Sequence, residues 1–120
     1  MAYGIIKQLS SYTLHATESI VYTSPVSKSV EVATFWFHNT GSAVITAQMF
    51  FPFTGSTATV GLSGNIQRLS EGFSGSVTLE ISPKVPFVLN SVTGSHGEKI
   101  TMKASNSGSL NVIIYGREEV

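Results

Sequence analysis

Residues 76–81 read SVTLEI, with Val77, Leu79 and Ile81 on one parity and Ser76, Thr78 and Glu80 on the other. Successive strand residues point to opposite faces, so this pattern predicts a strand with one dry side and one wet side. EKITMKAS (98–105) repeats it, with Ile100, Met102 and Ala104 predicted to face inward. No stretch of about 11 residues or more keeps its apolar positions at the helical period. Short β-rich runs recur instead: SIVYTS (19–24, ended by Pro25), SVEVATFWFH (29–38), AVITAQMFFPF (43–53), TATVGL (57–62), PFVLNSV (86–92) and SLNVIIYGREE (109–119). Gly, Ser, Asn and Pro clusters separate them. About eight short antiparallel strands with turns every 8–12 residues or so predict an all-β chain, a single β-sandwich or jelly-roll-like domain over 1–120. No linker or internal repeat interrupts it. Residues 1–17, MAYGIIKQLSSYTLHAT, mix apolar residues with Ser and Thr. They are either an N-terminal arm that pairs with a neighbouring subunit or an edge strand of the chain's own sheet. The final REEV is expected to be solvated.

Composition removes several functional classes. Seven Lys and Arg balance seven acids, all of them glutamate, so the net charge is zero. A nucleic-acid binder carries a basic surplus, and none is expected here. With no cysteine there is no disulfide framework, thiolate metal site or thiol nucleophile. Residues 1–12 lack a basic stretch followed by an apolar core, so no signal peptide is expected. No apolar run reaches the roughly 18 residues of a membrane helix, so no membrane partner is expected. His15, His38 and His96 are too far apart in sequence for metal-ligand spacing, leaving only a fold-assembled site with Glu31 or Glu98. GFSGS (72–76) resembles a nucleophile elbow, but it precedes a strand and reads as a turn, as does GLSGN (61–65). We expect no enzyme, no catalytic residue, no metal and no cofactor.

What remains is surface. Charged residues make up only 12% of the chain, about half the usual globular share. A neutral surface this poor in charge has little protection against self-association. The run 29–53 is read as a hairpin turning at 39–42, and neither of its strands is cleanly two-faced. Val30, Val32, Thr34, Trp36 and His38 share one parity; Glu31, Ala33, Phe35, Phe37 and Asn39 share the other. Three structures fit: a strand that changes sides through a bulge, a strand covered on both faces within the chain, or a sheet whose outer face contacts another chain. On the last reading, Phe35, Trp36, Phe37, His38, Met49, Phe50, Phe51 and Phe53 form a subunit or partner interface, since interface cores favour Trp, Phe and Met. A ligand reading also stays open: Trp36 with Tyr12, Tyr22 or Tyr115 would stack on sugar rings, as in a carbohydrate-binding module.

In serial order, IVYTSP, VEVATFWFHNTGSAVITAQMF, LSEGFSGSVTLEI, FVLNSVTGSHGEKITMKAS and LNVIIYGREE cover most of the chain. So arranged, the chain resembles a family of small all-β phage virion proteins, the tail, neck, fibre or head-decoration components. Glu98 departs from the aspartate usual in that pattern. The resemblance implies a non-enzymatic structural protein made in the host cytoplasm and built into the virion. It implies a homo-oligomer, with a trimer as the expected stoichiometry, docked on major capsid or tail proteins. It transfers no catalytic residue.

Overall fold

The structure is a computed structural model that describes residues 3–53, 67–81 and 87–120. Within these, nine strands and no helix are present, in two antiparallel sheets. The first sheet holds β1 (Lys7–Thr13), β9 (Leu110–Glu118), β3 (Val30–Asn39) and β6 (Thr78–Ile81) in that order, and β7 (Phe87–Leu89) also pairs with β3. The second runs β2 (Ser19–Thr23), β8 (Lys99–Ala104), β4 (Ile45–Phe53), β5 (Gln67–Phe73). The chain is a β-sandwich, as its alternation predicts.

The expected hairpin over 29–53 does not form. β3 pairs with β9, β6 and β7, whereas β4 pairs with β5 and β8 in the other sheet. The turn at 39–42 therefore carries the chain across the sandwich. Asn39, fully buried, fixes it. Its side-chain amide donates to the carbonyls of Ala43 (2.8 Å) and Phe73 (3.0 Å), and its Oδ1 accepts from the Gly41 N–H (2.9 Å). Its main chain closes onto the β5–β6 turn through Asn39 N to Val77 O and Ser76 N to Asn39 O.

A β-bulge resolves the two-sided β3. Val32 is opposite Gly116 and Thr34 is opposite Tyr115, leaving Ala33 unpaired in the register. One extra residue flips the side-chain parity. Val30 and Val32 before it, and Phe35 and Phe37 after it, consequently share the inner face, all at most 1% exposed. They meet Ile45, Ala47, Met49, Phe51, Phe73, Ile100 and Met102 of the second sheet. Two aromatic pairs span the sheets: Phe37 on Phe73 at 4.7 Å and Phe51 on Phe87 at 4.0 Å between centroids. Ile100, Met102 and Ala104 are buried as their alternation predicts.

Other expectations change. Residues 7–13 form β1, an edge strand paired with β9. β5 is a strand that its polar sequence QRLSEGF conceals. The predicted dry face of 76–81 is only partly dry. Ile81 packs against the core, but Leu79 stays 38% exposed, because β6 is an edge strand with a neighbour on one side only, and Val77, in the turn before β6, stays 39% exposed. The strand expected at 57–62 and the turn at 61–65 lie outside the described residues.

Candidate interaction face on the outer side of the five-stranded sheet

Residues directly opposite in an antiparallel ladder share a face. Trp36 is opposite Ile113 on β9 and Glu80 on β6; His38 is opposite Asn111 and Thr78. Since Phe35 and Phe37 point inward, this whole set points outward. Thr34 and Tyr115, also opposite each other, lie next to it. The result is an open depression of about 260 Å³, with Trp36, Ile113 and Tyr115 as its apolar lining and His38, Thr78 and Asn111 around it. Trp36 is 38% exposed there.

The polar side of the depression is tied to the sheet. His38 Nδ1 and Thr78 Oγ1 are 2.7 Å apart, and Thr13 Oγ1 donates to Asn111 Oδ1 at 2.6 Å. These bonds span β3–β6 and β1–β9, so they hold the face in one arrangement before anything binds. No Lys, Arg, Asp or Glu lines the depression itself, and Glu80, opposite Trp36, stands beside it. Beyond Tyr115, Arg117 and Glu31 form a long surface ion pair at 3.9 Å, the kind that contributes little.

Of the residues expected at an interface, Phe35, Phe37, Met49, Phe50 and Phe51 are buried within the chain, at 8% exposure or less. The bulge at Ala33 and the placement of β4 in the other sheet put them between or behind the sheets. Among the described side chains, the accessible part of that set narrows to Trp36 and His38. Phe53 is opposite Lys99 in the β4–β8 register. Phe50 lies outside the main core cluster; it is opposite Thr101, also fully buried, whose hydroxyl donates to the buried carboxylate of Glu18. Ile113 is the site residue that sequence reading missed. Of the tyrosines considered beside Trp36, the fold brings up Tyr115, while Tyr12 and Tyr22 pack against the core.

No group of three or more His, Asp or Glu side chains is placed to hold a metal among the described residues. The histidines are held apart: His15 meets the Tyr12 ring edge-on, His38 meets Thr78, and His96 Nδ1 is 3.0 Å from Ser24 O. Glu31 faces Arg117, and Glu98 accepts from the Asn90 N–H at 2.8 Å. No helix among the described residues is long and apolar enough to cross a membrane.

No protein-family model matches the sequence, and no curated protein is similar to it. Solved structures are similar in fold. A chain of the Bacillus endospore appendages, which form disulfide-linked pili, is 11% identical with a TM-score of 0.51, over 100% of this chain and 91% of that one. A chain of the cyanophage Pam1 capsid is 17% identical with a TM-score of 0.46, over 98% and 87%. A chain of the infectious bursal disease virus Gx strain is 10% identical with a TM-score of 0.43, over 96% of this chain and 37% of that one.

Proposed function

We propose that this chain is a non-enzymatic structural subunit of a phage virion, one that self-associates and docks on the capsid or tail as a decoration, neck or fibre component. The observation that carries the reading is the outward apolar depression at Trp36, Ile113 and Tyr115, set on a rigid sheet face. Apolar surface held in water on an ordered scaffold favours association, because little conformational entropy is lost on binding. Three further features support it. The surface is neutral and poor in charge. The strand order β1-β9-β3-β6 over β2-β8-β4-β5, in a two-sheet sandwich, supports a jelly-roll reading, a fold common in capsid domains. The same sandwich serves in a pilus subunit. Those pili are disulfide-linked, whereas this chain has no cysteine, so its own contacts are non-covalent in that respect. Mass photometry of the purified chain over a concentration series tests the reading. A discrete oligomer is expected, and a monomer at every concentration overturns it.

A second reading rests on one observation: Trp36 and Tyr115 line the same depression, with hydrogen-bonding side chains around it. That is the make-up of a saccharide platform, an aromatic face with polar groups beside it. Saturable glycan binding by a monomeric chain, lost in Trp36→Ala, would favour this reading over the first.

A further inference from the structure

Ile5 and Ile6 are adjacent aliphatic residues that stay exposed, at 84% and 51%. Their backbone is fixed on both sides. Tyr3 bridges Glu119, and the Gly4 N–H donates to the Glu118 carbonyl at 2.9 Å. Lys7 is opposite Gly116 in the β1–β9 ladder, and its ammonium is 2.7 Å from the Glu118 carboxylate. Val120, 80% exposed, lies beside Gly4. The chain thus holds an aliphatic knob in place and leaves it in water. Elsewhere it holds a largely apolar hollow in place and leaves that in water too.

We propose that the Ile5–Ile6 knob of one copy seats in the Trp36–Ile113–Tyr115 depression of a second copy, joining subunits head to tail. This rests on the self-assembling reading above and names its contact. The knob does not reach the depression of its own chain. Its anchor at Glu118 is five residues along β9 from Ile113, about 17 Å at strand spacing, and the anchors would have to break. Two depressions placed face to face would leave both unfilled, whereas a knob fills one. Tyr3 to Ile6 carry no charged side chain, and no Lys, Arg, Asp or Glu lines the depression; the nearest charges, Glu80 opposite Trp36 and the paired Lys7 and Glu118 after the knob, stand at the edges of the two patches. Knob and hollow are different patches of the same surface, so the contact is heterologous. Such contacts close into a ring when the rotation permits and otherwise continue as a filament.

The absence of cysteine makes the test direct. Ile6→Cys and Thr78→Cys, the latter at an exposed position bordering the depression, are made as separate chains, mixed, allowed to assemble and mildly oxidised. The expected result is a mixed Ile6→Cys/Thr78→Cys cross-link well above either self-cross-link, and a shift of Ile6→Ser from oligomer to monomer with its circular dichroism unchanged. An oligomer dominated by the Thr78→Cys self-cross-link overturns the knob-in-hollow contact and leaves self-assembly standing. So does an oligomer without the mixed product. A parent chain that stays monomeric removes the self-assembling reading along with this one.

Discussion

The carbonyl oxygen of Glu31 lies so near Gly116 that a β-carbon on Gly116 would be 2.3 Å from it. That carbon would also stand 2.8 Å from Leu9 Cδ1 and 3.1 Å from Val32 Cα. The crowding comes from both neighbours of β9. β3 bulges at Ala33, between the partners of Gly116 and Tyr115, and β1 shifts register at Leu9, between the partners of Tyr115 and Ile114. Gly116→Ala would press on backbone that the bulge fixes, and overpacking of this kind costs about 1–3 kcal/mol. Gly72→Ala is the control, since its β-carbon would meet only Val44 Cγ1 at 3.7 Å and Thr46 Oγ1 at 3.9 Å. Urea unfolding midpoints should fall for Gly116→Ala and barely move for Gly72→Ala.

Asn39 makes three side-chain hydrogen bonds while fully buried. Asn39→Ala removes all three and leaves the buried Phe73 carbonyl and the part-buried Ala43 carbonyl without their donor, for a loss of roughly 1–3 kcal/mol in chemical denaturation. Asn39→Asp gives a pH-dependent outcome. A carboxyl in this buried place, aimed at the carbonyls of Ala43 and Phe73, has its pKa raised by desolvation, and only its protonated form can donate to either oxygen. With the folded pKa above the unfolded one, the variant is most stable in acid and loses stability as pH rises through the raised value. A variant whose stability climbed with pH would contradict this account of the turn.

Tyr22 supplies a wild-type titration. Its hydroxyl is buried without a hydrogen-bond partner among the described residues, and its pKa is pushed up to about 12, first by burial and then by the Glu118 carboxylate. Below the ordinary tyrosine value both folded and unfolded forms hold the proton. Between about 10 and about 12 the unfolded chain gives it up and the folded one keeps it, so stability falls as pH rises through that window. Tyr22→Phe keeps the packing and removes the orphan hydroxyl. It should match or exceed the parent at neutral pH, by up to about 1 kcal/mol, and show a shallower alkaline decline. Phenolate absorbance against pH, with unfolding midpoints at neutral and alkaline pH, reads both effects.

Strands whose two faces differ could be read locally. β8 alternates Ile100, Met102 and Ala104 inward, and the structure buries all three. β3 was legible as a strand but not in its facing, because a single extra residue at Ala33 reverses parity and nothing in the letters VEVATFWF marks where it falls. The run Asn39-Thr40-Gly41-Ser42 announces a turn, but the same turn chemistry serves a hairpin or a crossing between sheets. The choice was made by Phe73, Val77 and Ser109, which bind the turn from distant positions. β5 was hidden because its pairing with β4 lies in main-chain bonds, while its side chains are largely polar. Trp36 stood out in the sequence, but Ile113 became its neighbour only through the β3–β9 ladder, a long-range register that local pattern does not encode.

Two adjacent aromatics divide folding from assembly, and that division is the sharpest prediction. Phe37 is fully buried and stacks on Phe73 across the sandwich. Phe37→Ala removes that contact and opens a cavity, which costs about 3–5 kcal/mol, a large share of the roughly 5–15 kcal/mol that holds an ordinary domain folded. Trp36, one residue earlier, points the other way and rests on Ile113 at a surface. Trp36→Ala gives up a cross-strand pair worth about 1 kcal/mol or less, so its denaturation midpoint should stay close to the parent's. If the outer face is the contact surface, Trp36→Ala should nonetheless run as a folded monomer in sizing chromatography at concentrations where the parent is oligomeric. A Trp36→Ala chain that assembles like the parent would show that the oligomer is built on another face.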